Sequence, residues 1–146
     1  DTHAFAQRLQ SHGFETRLNL SDEFLGSAHL LPLTHTATRM PADVVIAQPG
    51  LHSEFLRRCR PVDIGGHVAP LISVEDLVVT KVLAARRKDL EDVRGVLLEQ
   101  WGSMDFEYVE RVLAARMIAL DDPRLAPRFA RVVRQVERLL DQPPRR

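Results

Sequence analysis

The sequence holds a single cysteine, Cys59, in 146 residues. An intrachain disulfide and a cysteine-rich zinc site are therefore excluded, and a reducing, cytoplasmic setting fits. Neither sign of charge is in excess, since 20 basic residues meet 20 acidic ones. That removes any global field for nucleic acid or an anionic membrane, while leaving room for local patches at 57–60 and 86–88. No apolar run approaches the length of a membrane span, and no signal peptide is visible. Repeats and low-complexity segments are missing as well. The six histidines make no metal pattern: His29 and His35 stand six apart, and His3, His12, His52 and His67 read as surface positions. The chain opens on Asp1 rather than Met, already at a helix start, so the expectation is that something precedes it.

What is present is organised around residues 73–98, SVEDLVVTKVLAARRKDLEDVRGVLL. Ser73 and Asp76 stand at capping-box spacing, with the Ser73 hydroxyl accepting from the third helical N–H and Asp76 reaching back. Residues 77–85 are apolar except for Thr80 and Lys81. A helix that is apolar nearly all round is buried, so Lys81 sits where an ammonium needs a partner. Asp89 is placed to cap a second helix, whose stripe Leu90, Val93, Leu97 runs at helical spacing. Read from spacing alone, this is a core hairpin of helices with charges fringing its turn.

Around it, the pattern predicts a helix to about His12 closed by Gly13, and a strand over 14–18. Residues 21–25 read as a turn of helix or a loop. Residues 29–35 read as an edge or irregular strand, because Pro32 cannot donate to a central ladder. Residues 36–41 form a hairpin-like connection, and 42–47 a strand buried on both faces. A short helix over 51–60 turns Leu51, Phe55 and Leu56 inward. Gly65-Gly66 joins two short strands over 61–64 and 67–72. Two more helices follow the hairpin, the first facing inward with Val109, Val112, Leu113, Met117 and Leu120, the second with Phe129, Val132, Val133, Val136 and Leu140. Strands first and helices later make the class α+β.

Asp43 is the most informative carboxylate, because it interrupts an apolar strand. It is either a metal-binding or general-base aspartate, or a solvent-facing residue of a half-exposed strand. Lys81 either reaches a phosphate as a point charge or forms a structural ion pair with Asp89 or Asp92. Arg86, Arg87 and Lys88 extend a polyphosphate or nucleic-acid contact, or are merely solvated. Gly26-Ser27 reads as a loop, Gly65-Gly66 as a turn without a P-loop lysine, and Cys59 lacks a nearby base.

Taken together, Asp43-Val-Val-Ile-Ala, Pro49-Gly-Leu with Phe55-Leu, Gly65-Gly, Pro70-x-Ile72-Ser-x-Glu75-Asp76-Leu and Lys81-Val-Leu-Ala-x-Arg86-x-Lys88-Asp89-Leu-Glu-Asp92-Val resemble bacterial nucleotidyltransferase-fold proteins. The group is the AbiEii-like toxin branch, related to the minimal nucleotidyltransferases, and the likeness covers residues 1–98. It implies a polymerase-β-like core over 1–100, a small mixed sheet flanked by helices, with C-terminal helices over 101–146 packed on it.

In that superfamily a Gly-Ser turn and an Asp-x-Asp strand precede a third carboxylate, and the three hold magnesium against a nucleoside triphosphate. The resemblance makes Asp43 that third, catalytic and metal-binding carboxylate. Lys81, Arg86 and Lys88 are the nucleotide-binding cations, and Asp76, Asp89 and Asp92 support them. The expected chemistry is attack of an acceptor hydroxyl, on tRNA, another nucleic acid or a protein, at the α-phosphate, with pyrophosphate leaving. An antitoxin partner goes with the same group. The chain departs from the pattern twice: the Gly-Ser turn and Asp-x-Asp pair belong before Asp1, and Ala85 and Arg87 stand where relatives often carry Gly and Pro. With two of three carboxylates missing, the polypeptide as given is expected to be inactive. Two other readings stand beside this one: a catalytically silent interaction module, and a small nucleic-acid binder using 57–60 and 86–88.

Overall fold

The computed structural model describes residues 2–17, 29–47 and 49–141. Among these there are six helices and five strands in two small sheets, an α+β arrangement in which every strand pairing is antiparallel. The chain divides into two compact units, Asp1–Glu54 and Phe55–Arg146.

The first unit runs α1 (Thr2–Ser11), β1 (Phe14–Thr16), β2 (Leu30–His35) and β3 (Pro41–Val45), with sheet order β1-β2-β3. Gly13 at φ +80° turns the chain out of α1 and donates its N–H to the Gln10 carbonyl, the expected C-cap. The core is small: Ala6, Leu31 and Leu33, with Leu9, Phe14, Ala42, Val44 and Ile46 against them. The predicted turn at 36–41 is present, closed by His35 N–H on the Met40 carbonyl at 2.8 Å, with Arg39 at φ +58°.

Two expectations fail here. β2 is the central strand, not an edge, despite Pro32. The Pro32 carbonyl accepts from Arg17 N–H at 2.9 Å, just past the end of β1. Within a strand a residue's N and C=O point the same way, so the missing donor falls on the last rung toward β1 and spares the β3 ladder. β3 is not buried on both faces either. Its residues alternate, with Ala42 and Val44 half-buried and Asp43 and Val45 exposed. Continuous apolar runs do not distinguish a two-sided strand from a one-sided one that carries Val on its outer face.

Past Gly50, at φ +96°, α2 (Leu51–Arg58) carries the chain across the division between the units. It buries Phe55, but Leu56, expected inward, is 62% exposed. β4 (Arg60–Ile64) and β5 (His67–Leu71) follow as a hairpin around Gly65 and Gly66, at φ +63° and +87°. Two consecutive positive φ values are what a type I′ turn requires, and glycine supplies them without steric cost.

The rest of the second unit is helical: α3 (Val74–Ala84), α4 (Arg87–Gln100), α5 (Phe106–Ala119) and α6 (Leu125–Leu140). Val78, Val79 and Val82 of α3, Val93 and Leu97 of α4, Val109 and Leu113 of α5, and Phe129, Val132 and Val136 of α6 are buried. Each fully buried aliphatic or aromatic side chain contributes about 1.5–3 kcal/mol, so this cluster is what fixes the hairpin's frame. Of the predicted inward faces, Leu120 and Leu140 lie outside, at 60% and 47% exposure, where α5 and α6 end.

Candidate functional site

The hairpin α3–α4 is built as its sequence dictates at its start. Ser73 Oγ accepts from Asp76 N–H at 3.1 Å, one half of the capping box. The other half is absent, because the Asp76 carboxylate is used elsewhere. It is fully buried and accepts from Arg58 Nε at 3.0 Å and from Tyr108 Oη at 2.6 Å. The Arg58 guanidinium lies over the Tyr108 ring, 3.9 Å from its centroid, and also reaches Glu75 at 3.5 Å. Burial alone would lower the Arg58 pKa; the Asp76 hydrogen bond and charge outweigh it and leave the guanidinium more firmly protonated than usual.

At the turn, Ala85 takes the left-handed conformation, φ +55°, and its N–H caps α3 on the Lys81 carbonyl. Arg86 is extended at φ −68°, ψ 155°, and α4 starts at Arg87. Asp89 is therefore not the N-cap that its spacing predicted. It occupies the third helical position and its carboxylate reaches back to Arg86 N–H at 3.2 Å. The helix opens three residues earlier than the Asp signal implies, because a carboxylate at this third position accepts from the N–H of the cap residue, Arg86.

Asp89 is the hinge of the polar cluster. Almost wholly buried, it takes Arg86 Nε at 2.6 Å on one oxygen and Arg86 Nη2 at 3.2 Å and Lys81 Nζ at 3.5 Å on the other. Lys81 Nζ in turn donates to Asp92 Oδ2 at 2.6 Å. Hydrogen bonding to Arg86 holds the Asp89 carboxyl below its ordinary range against the opposing effect of burial. The Asp92 hydrogen bond raises the Lys81 ammonium above its ordinary value. The ion pair that sequence offered for Lys81 is thus formed, with both named partners. Its side chain is nonetheless 30% exposed, so an incoming anion can meet it. Arg86 and Lys88 flank it as exposed cations at the same helix junction.

Asp43 belongs to the first unit. Its side chain is 58% exposed and is paired with Arg17 across from β3. Among the described residues no group of three or more His, Cys, Asp or Glu could hold a metal ion. The Asp43 carboxylate is engaged by the Arg17 guanidinium, and a magnesium ion there would take most of its ligands from water and substrate phosphates. Gly26-Ser27 and residues 21–25 lie outside the described residues. Cys59 donates to the Phe55 carbonyl at 3.4 Å, a local structural use.

Arg58 was legible only as part of the basic patch at 57–60, and the partnership of Arg58 and Tyr108 with Asp76 was not legible. They stand 18 and 32 residues from Asp76, beyond any helical or strand period. The one available signal is that Tyr108 is the sequence's only tyrosine, placed in the first turn of a helix, and a buried tyrosine hydroxyl usually finds an acceptor.

Among the described residues no helix is long and apolar enough to cross a membrane. No curated protein matches the chain. Residues 26–134 match the model of a family described as a nucleotidyltransferase of unknown function, DUF6036. That span takes in β2, β3, the β4–β5 hairpin, the whole α3–α4 hairpin and most of α6, and the chain belongs to this nucleotidyltransferase family.

Proposed function

We propose that the α3–α4 hairpin is the triphosphate-contacting element of a nucleotidyltransferase, with Lys81 as the central cation and Arg86 and Lys88 beside it. The observation that carries this is the shared use of Asp89: Lys81 and Arg86 are held on one buried carboxylate, 3.5 and 2.6 Å from it. Asp89 fixes two cations at one place, Asp92 adds a second, more exposed restraint on Lys81, and exposed Lys88 brings a further positive charge to the same junction. Phosphate oxygens entering there exchange water for charge-assisted hydrogen bonds. Asp76 supports the site indirectly by tying the start of α3 to Arg58 and Tyr108.

In the proposed reaction an acceptor hydroxyl, on a nucleic acid or a protein, attacks the α-phosphate and pyrophosphate leaves. Asp43 is assigned the base or metal-ligand role by resemblance, and magnesium is the cation implied. The described residues form no group of three or more His, Cys, Asp or Glu, and the chain is proposed to bind nucleotide without transferring it. A cytoplasmic, AbiEii-like toxin with an antitoxin partner is the biological setting that goes with this reading.

The test is incubation with α-labelled nucleoside triphosphate, magnesium and candidate acceptors, using the chain and a form extended at its N-terminus. Labelling by the extended form, lost in Asp43→Asn, supports the reading. Labelling retained in Asp43→Asn removes the role given to that residue.

A further inference from the structure

Helix α6 carries an arginine face that the hairpin chemistry does not use. At about 100° per residue, Arg124, Arg128, Arg131, Arg134 and Arg138 fall within an arc of roughly 120°, and the stripe is about 21 Å long. The buried residues Leu125, Phe129, Val132 and Val136 occupy a separate arc, turned toward α3, α4 and α5. No carboxylate of α6 lies on the arginine arc. Asp122 pairs with Arg124 at 2.8 Å and approaches Arg128 at 3.6 Å. Arg131, Arg134 and Arg138 are exposed and make no ion pair with any described residue. In a chain with no net charge, three uncompensated cations within eight residues are a local concentration. Their spacings of three and four put like charges side by side, which weakens a helix. The helix dipole offsets this only for Arg138, in the last turn.

We infer that this face docks the phosphate backbone of double-helical nucleic acid. Arg124 and the largely buried Arg128 are held by Asp122, so the available part is Arg131 to Arg138, about 10 Å long, which faces roughly three phosphates of one duplex strand, each able to accept two parallel hydrogen bonds. Three observations select this partner. Insertion into a bilayer needs the helix's apolar side, which is already buried in the unit's core. Single-strand binding relies on aromatic stacking platforms, and the only aromatic residue of α6, Phe129, is 1% exposed. Gln135 is the one neutral amide on this arc and the exposed arginines around it outnumber it, so the contact is chiefly to the backbone. The inference deepens the proposed transfer reaction by making the acceptor a structured nucleic acid, and rests on that reading for the acceptor role alone; docking itself is measured without transfer.

The experiment is fluorescence anisotropy with a labelled RNA duplex of about 20 base pairs, the matching DNA duplex and the single strand, from about 50 mM salt upward. The full chain is compared with the triple variant Arg131→Glu/Arg134→Glu/Arg138→Glu. A control variant, Arg8→Glu/Arg94→Glu, changes exposed charge on α1 and α4, and circular dichroism checks each fold. The neutral triple variant to Gln covers the case in which the Glu variant does not fold. The wild type is expected to bind at least one duplex at low salt, and the triple variant at least about tenfold more weakly. The slope of log K against log salt should fall by about 2.7 for three lost contacts, with little change in the control. Absence of duplex binding at low salt, equal affinity in the triple variant, tighter binding of the single strand, or equally effective competition by polyglutamate each overturns the inference. Failure of nucleotide transfer leaves this result standing, and transfer without duplex binding removes only this inference.

Discussion

Lys81 Nζ donates to Asp92 Oδ2 at 2.6 Å across the α3–α4 turn, eleven residues away. Both side chains stay partly open to water, at 30% and 38% exposure. That combination gives Lys81 a fixed position and an accessible charge. An exposed pair of this kind contributes about 0–1 kcal/mol.

Lys81→Ala is therefore expected to reduce nucleoside triphosphate affinity by at least about tenfold while lowering Tm by no more than about 4 °C. Titration calorimetry and a thermal melt of the same preparation check it. A collapsed melt would place Lys81 in the frame of the fold.

Asp76 and Asp92 separate structural from binding carboxylates. Asp76 is fully buried with two donors, so Asp76→Asn removes the counter-charge of Arg58 and leaves an acceptor oxygen for only one of Arg58 and Tyr108. Breaking a fully buried pair costs about 3–5 kcal/mol, and the 38% exposure of Arg58 reduces this to about 2–3. Asp92→Asn should cost under about 1 kcal/mol. Denaturant unfolding of the two variants gives the comparison, and equal losses would contradict the assignment.

The hairpin was legible because its signals are local: a cap at Ser73, an apolar run, and charges at three- and four-residue spacings around the turn. The Gly65-Gly66 hairpin was legible for the same reason. Asp76's true partners were not, since contacts over 18 and 32 residues leave no period in the sequence. Pro32 misled because the side on which a strand lacks its donor depends on register. The strand over 42–47 misled because β-branched residues on an outer face look like burial. The α6 arginines repeat at helical spacing, and that periodicity was readable; only the fold shows that their acidic neighbours lie off the arc.

The turn itself offers a stabilising pair. Ala85 at φ +55° bears a Cβ penalty that glycine lacks, so Ala85→Gly should gain about 0.5–1 kcal/mol after glycine's entropy in the unfolded chain is subtracted. Arg87 is the first residue of α4, where proline's missing N–H is not needed, and extended Arg86 suits a following proline. Arg87→Pro gains about 0.4–1 kcal/mol by entropy but loses the exposed Glu91 pair, for a net change near zero to about +0.5. Thermal melts check both, and a fall in Tm for Ala85→Gly would contradict the turn geometry.

Acid should weaken the hairpin through Asp89. Its pKa is lower in the folded chain than the ordinary 3.8, so near that pH the unfolded chain binds more protons and stability rises with pH. The contribution is present above pH 3.8 and is lost as pH falls through the lower folded value. Lys81 has the opposite sign: raised above 10.5, it contributes below that pH and is lost as pH rises through its folded value. Asp89→Asn should flatten the acid limb of a stability-versus-pH curve, and an unchanged limb would show that other carboxylates govern it.

The central claim is that Lys81, fixed by Asp89 and Asp92, contacts the triphosphate. Calorimetric titration of inorganic tripolyphosphate and of the four nucleoside triphosphates, each with magnesium, into wild type and Lys81→Ala tests it most directly. The account predicts binding of tripolyphosphate and at least one nucleotide by the wild type, both reduced at least about tenfold in the folded variant. No binding by the wild type, or equal binding by the variant, would contradict it.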